Sequence, residues 1–115
     1  MENNIILNKS SAFAREVVLF ARAVQPDSKG LAFQLIRSGS SIGASVTEAQ
    51  GAESKNDFVH KLKTANKEAR ETLYWLDLLR NVERGGDQEK LRADLQELQR
   101  LLNSIISTCK KGTNK

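Results

Sequence analysis

The residues of this 115-residue chain that are able to do chemistry are few, and the best aligned of them are cationic. His60, Lys63, Lys67, Arg70 and Tyr74 follow one another at +3, +4, +3 and +4. That spacing places side chains along one side of an α-helix. Lysine and arginine in such a line can follow a phosphate backbone, and a tyrosine at its end can stack on a base. Lys110 and Lys111 add two cations near the end of the chain. The plainer account of the line is a solvated helix face, which is what most charge lines are.

Catalytic chemistry finds little support. His60 is the sole histidine and Cys109 the sole cysteine, some fifty residues apart, so His and Cys cannot assemble a metal cluster. Glu68 and Glu71 form a carboxylate pair of the kind helices carry for solubility. A di-metal bundle site needs Glu-x-x-His on two helices, and that motif does not occur. The serines have no paired base. The expectation is a protein that is not an enzyme and has no catalytic residue, metal or cofactor.

The net charge of +4 is unevenly spread. Residues 1–53 are neutral, residues 54–70 carry +3, residues 71–109 carry −2, and the last six residues restore the total through Lys110, Lys111 and Lys115. A local excess of this kind can attract a polyanion. No apolar run approaches the ~20 residues of a membrane span. The start, Met1-Glu2-Asn3-Asn4, lacks the basic and cleavage-site features of a signal peptide. One cysteine excludes an internal disulfide and suits a reducing cytoplasm.

These residues must be positioned by helices, because 39% apolar content with a single proline and few aromatics argues against strands. The first helix is expected from about Lys9 to Val24, with Phe13, Val17, Phe20 and Val24 on its apolar face. It stops at Pro26, and Asp27 or Ser28 can cap the next. The second is expected from Lys29 to about Ala52, with Leu31, Leu35, Ile42, Val46 and Ala49 inward. The third follows Ser54-Lys55-Asn56-Asp57, a variant capping box, and buries Phe58, Leu62, Ala65, Ala69, Leu73 or Thr72, Leu76 and Leu79. Gly85-Gly86-Asp87 supplies the next break. The fourth helix carries Leu91, Leu95, Leu98, Leu102, Ile105 and Cys109 in register. Breaks this short predict an all-α, antiparallel up-down-up-down four-helix bundle over residues 1–109, with a disordered basic tail at 110–115.

Inside the second helix, Ser38 to Ser45 contains seven Gly, Ala or Ser residues out of eight. The apolar face keeps helical phase through this stretch, so it reads as helix, with a loop as the minor alternative. Gly39 and Gly43 then lie on one side and permit close approach of a neighbouring backbone. On this reading Gly→Ala is tolerated or stabilising, whereas Gly→Leu damages packing. A phosphate-cradling glycine loop would need a preceding strand and a terminal Lys-Ser or Lys-Thr, both missing. A second stripe, Gln34, Arg37, Ser41, Ser45 (or Ala44) and Glu48, is poor in lysine for a free surface. It reads as an oligomer interface, against the plain alternative of a solvated face. Trp75 adjoins the core stripe and is most simply packed there, a protein-binding hot spot being the lesser reading.

The runs Gln34-Leu35-Ile36-Arg37-Ser38 and Ser41-Ile42-Gly43-Ala44-Ser45-Val46-Thr47-Glu48-Ala49, then Ser54-Lys55-Asn56-Asp57-Phe58, then Lys67-Glu68-Ala69-Arg70-Glu71-Thr72-Leu73-Tyr74-Trp75-Leu76, resemble three successive motifs of one bacterial family. This is the four-helix-bundle family of proteins encoded within 23S rRNA intervening sequences, which also includes the accessory variability proteins of diversity-generating retroelements. The resemblance covers residues 10–109, with Gly43 where the family usually has Pro and Ser45 where it usually has Asn. It implies a cyclic homo-oligomer, a pentamer, with a basic surface and no known catalytic activity. In the retroelement branch it implies binding of nucleic acid and of a reverse transcriptase. The two function classes are therefore a homopentameric scaffold with weak, sequence-independent binding of RNA or DNA, and a protein-interaction adaptor with no nucleic-acid role.

Overall fold

In the computed structural model, residues 2–26, 28–80 and 87–113 are described. They form four helices: α1 Glu2–Val24, α2 Lys29–Ala49, α3 Lys55–Leu79 and α4 Glu89–Thr113. No strand occurs among the described residues. Each helix packs on the next, and α1 also packs on α4, which closes a compact bundle around one apolar core.

α1 begins seven residues before the expected Lys9. Ile6 and Ser10 extend the buried face of Phe13, Val17 and Val24, so tertiary burial of Ile6 overrides the poor helix propensity of the asparagines around it. Phe20 is only half-buried, and Ala21 takes the inward place. The chain leaves α1 with Ser28 N donating to the Val24 carbonyl at 3.0 Å. Ser28 is the N-cap residue of α2, but its side chain makes no capping bond; Asp27 lies outside the described residues.

α2 runs unbroken through the small-residue stretch, and no glycine among the described residues has positive φ. The helix reading therefore holds, although the helix stops at Ala49, three residues short of the expected end. Gly39 and Gly43 face α1. A Cβ on Gly39 would lie 2.9 Å from Val17 Cγ1, and one on Gly43 would lie 3.4 Å from the Ser10 carbonyl oxygen. The two sites differ: Gly43 has room for a methyl group, whereas at Gly39 the expected tolerance of alanine is overturned by the Val17 side chain.

α3 opens with the expected Ser54 cap, but the Asp57 carboxylate reaches the N–H of Glu53, one residue before the cap, and not that of Ser54. Asp57 N donates to Ser54 Oγ at 3.0 Å, and Glu53 N donates to Asp57 Oδ2 at 3.2 Å. Thr72, not Leu73, is fully buried on the α3 stripe. Its hydroxyl is satisfied there by the Glu68 carbonyl at 2.8 Å and by Ser38 Oγ across the α2 boundary at 3.0 Å.

Before α4, Gln88 is buried and donates through Nε2 to the Leu76 carbonyl at 2.8 Å, tying the start of α4 to α3. Asp87 is exposed, and the glycines expected in this break lie outside the described residues. Leu91, Leu95, Leu98, Leu102 and Ile105 are buried as their register requires, Ile106 joins them, and Cys109 is half-buried. α4 continues past 109 to Thr113, so Lys110 and Lys111 stand on its last turn. Among the described residues, no helix is long and apolar enough to cross a membrane.

Candidate nucleic-acid interface

The α3 stripe that buries Leu62, Ala65, Ala69 and Leu76 turns the opposite side of the helix to solvent. His60, Lys63, Lys67, Arg70 and Tyr74 are all exposed on that side. From His60 to Tyr74 the line extends roughly 21 Å at 1.5 Å per residue.

Packing of α4 beside α3 brings further groups to this face. Asn66 Nδ2 donates to Asn103 Oδ1 at 2.8 Å, which sets the register of the two helices. Two turns beyond Asn103, the side chain of Lys110 meets that of Lys63. Close approach of the Lys110 side chain, then repulsion between the two charges and slight desolvation, hold the Lys63 ammonium below the ordinary lysine value. Arg100, three residues before Asn103, is exposed on the same helix. Sequence reasoning left Arg100 out, because its segment is net acidic.

Ion pairing sharpens the contrast between surfaces. Between α1 and α4 a groove of about 140 Å³ is lined by Phe13 and Leu98 and edged with Lys9, Glu16, Lys90, Asp94 and Glu97. Its charges cancel: Lys9 pairs with Glu97 at 3.2 Å, and Lys90 with Asp94 at 3.1 Å and Glu16 at 4.0 Å. Those carboxylates raise the Lys90 pKa, Asp94 through its hydrogen bond first and its charge second. Along α2 and α3, Lys61 lies 3.9 Å from Glu48 and 3.8 Å from Asp57. Arg92 pairs with Asp77. By contrast, Lys63, Lys67, Arg70, Arg100, Lys110 and Lys111 have no carboxylate within 4.0 Å among the described residues. Arg15, Arg22, Lys29, Lys55 and Arg80 also lack a pair there, but they lie on α1 or near helix ends.

A family model for the 23S rRNA-intervening sequence proteins matches residues 2–104. The chain belongs to this family. A solved structure of similar fold is a protein of unknown function from the S23 ribosomal protein family of Bacteroides thetaiotaomicron VPI-5482, determined at 1.70 Å. It is 39% identical, and the match covers 93% of this chain and 99% of that one with a TM-score of 0.84. No curated protein matches.

The stripe expected to form an oligomer interface lies, in this 23S rRNA-intervening sequence protein, along the α2–α3 boundary. Gln34, Ser41 and Ser45 are half-buried, and Arg37 and Glu48 are exposed. Arg37 donates through Nε to Gln34 Oε1 at 2.9 Å, pairs through Nη2 with Glu71, and lies 3.9 Å from Glu68 Oε2. That Glu68 oxygen is buried without a hydrogen bond, so the Arg37 charge is what compensates it. Ser41 Oγ donates to the Arg37 carbonyl at 2.6 Å. The scarcity of lysine in this stripe thus has an account within one chain: Arg37 and Glu48 both answer charges on α3.

Trp75 is half-buried against the core and donates through Nε1 to Glu71 Oε2 at 2.9 Å, as its packed reading requires. Tyr74 projects outward, 55% exposed, with its ring centroid 5.1 Å from that of Trp75 in an edge-on pair.

Proposed function

We propose that this protein is a non-enzymatic homo-oligomeric scaffold that binds RNA or DNA weakly and without sequence preference, through the outward face of α3 and α4. The reading rests on one observation: six exposed cations stand on these two helices without carboxylate partners among the described residues. Unpaired like charges on an exposed surface attract an anion. Contacts of this kind bind phosphates and carry no base identity, so RNA and DNA compete for them.

The bundle is read as up-down-up-down. In support, Ser10 faces Gly43 while Val17 faces Gly39, Glu48 faces Lys61 while Arg37 faces Glu71, and Lys9 faces Glu97 while Glu16 faces Lys90. We further read the assembly as a closed ring, a pentamer, which repeats one heterologous contact. Phe33 on α2 at 64% and Leu19 on α1 at 59% exposure supply apolar surface for such a contact, in addition to the stripe of Gln34, Ser41 and Ser45. A ring multiplies weak phosphate contacts through avidity. The cytoplasm is the compartment proposed, and a reverse transcriptase is a partner where the gene lies in a retroelement.

Anisotropy titrations at two salt concentrations test the binding. Charge reversal at Lys63 and Lys67 is expected to weaken it and to flatten the slope of log affinity against log salt, since fewer counterions are released. The same change at Lys90, whose charge is already answered by Asp94 and Glu16, leaves binding nearly unchanged. No detectable binding at low salt refutes the nucleic-acid reading and favours the protein adaptor, for which exposed Phe33 and Leu19 are the observation. Light scattering across a dilution series tests the ring, which a mass near 12.8 kDa at micromolar concentration excludes.

A further inference from the structure

Resting on that reading, we propose that the α3–α4 face is a single-strand platform, on which Tyr74 stacks an unpaired base at the end of the cation track. Duplexes bind only through their phosphates. Tyr74 follows Arg70 by one turn and Lys63 by about 16 Å of helix, so a strand lying along the lysines reaches the ring without changing direction. The ring is 55% exposed, and its hydroxyl makes no hydrogen bond among the described residues, so nothing in the bundle uses it as a polar anchor.

The ring is nevertheless held in place. It meets Trp75 at 5.1 Å between centroids and 66° between planes. Trp75 is fixed in turn by its bond to Glu71, Glu71 by Arg37, and Arg37 by Gln34 on α2. An exposed aromatic carried on such a chain of contacts loses little freedom when a base stacks on it, and that preorganisation favours binding. Stacking requires an open base face. A single strand offers one at every nucleotide, whereas bases within a duplex are covered by their neighbours. The cations at 63, 67, 70, 100 and 110 serve both forms alike. Tyr74 therefore sets the difference between them.

The probes are an oligoadenylate of about 16 nucleotides, an upper site size for one small domain, an abasic strand of equal length, and a closed circular duplex without ends. The wild type is expected to bind the oligoadenylate between about 5- and 150-fold more tightly than the abasic strand, the range a stacked base contributes. Tyr74→Ala should erase that margin while leaving affinity for the abasic strand and the duplex unchanged, and Tyr74→Phe should keep it. Trp75 is the sole tryptophan, so its emission should respond to the oligoadenylate and not to the abasic strand. Circular dichroism verifies that Tyr74→Ala remains helical. Equal affinity of the wild type for both strands overturns the platform, as does a Tyr74→Ala loss that is the same for strand and duplex. Those outcomes leave phosphate binding standing. Failure of all three probes to bind at low salt overturns both proposals together.

Discussion

Alanine at Gly39 and at Gly43 should act in opposite directions, although the two positions share one helix, one face and one residue type. In helical backbone, Gly→Ala stabilises by ~0.4–1 kcal/mol, because the unfolded chain has fewer conformations to lose. At Gly43 the new methyl meets the Ser10 carbonyl oxygen at 3.4 Å, an ordinary contact, so the full gain is expected. At Gly39 it would meet Val17 Cγ1 at 2.9 Å and Cγ2 at 3.0 Å, and both belong to a stiff, fully buried side chain. Overpacking of this kind costs ~1–3 kcal/mol, which outweighs the backbone gain. The two variants should then differ by about 2 kcal/mol, or very roughly 8 °C in Tm for a chain of this size. Thermal melts at fixed protein concentration measure this, since assembly would make Tm depend on concentration. Val17→Ala removes the obstructing methyls and leaves only Cβ, at 3.3 Å, so in that background Gly39→Ala should lose most of its cost, a coupling of about 1–3 kcal/mol in a double-mutant cycle. If Gly39→Ala raised Tm in the wild type as much as Gly43→Ala does, α1 and α2 would not approach as closely as described.

Further expectations follow from the charges and the caps. Lys110→Gln should move the Lys63 pKa back up toward the ordinary 10.5, as followed by NMR of the lysine side chains, and a bound polyanion should do the same. Because the Lys63 pKa is lowered on folding, its protonated form opposes the fold, and stability from this group rises as pH climbs through its folded pKa toward 10.5. Lys90 has the opposite sign: its stabilising pairing with Asp94 and Glu16 is fully present below 10.5 and lost as pH passes its raised folded pKa. Chemical-denaturation series on Lys63→Gln and Lys90→Gln across that range should show the two trends separately. Ser54→Ala removes the acceptor for Asp57 N and should cost ~1 kcal/mol, read as a lower denaturation midpoint with unchanged slope.

Local pattern was enough for much of this protein. Apolar residues recurring every three or four positions mark α2, α3 and α4, since that period is a property of the single helix and needs no partner. The Ser54 cap, the helical path through Gly39 and Gly43, and the basic line from His60 to Tyr74 were legible for the same reason: each spans a few turns of one element. What only the tertiary structure decided depends on how one helix is set against another. Ile6 carries α1 back to Glu2 because a core is there to bury it. Gly39 cannot take a methyl because Val17 lies across from it, whereas Gly43 can because a carbonyl edge does. Arg37 and Glu48 look unanswered along α2, yet both find opposite charges on α3. The register of α4 on α3 brings Lys110, forty-seven residues away in sequence, against Lys63. Helical periodicity specifies which side of each helix faces inward, but the height at which two helices meet is set by the packing of their side chains, and that height selects which charges become neighbours.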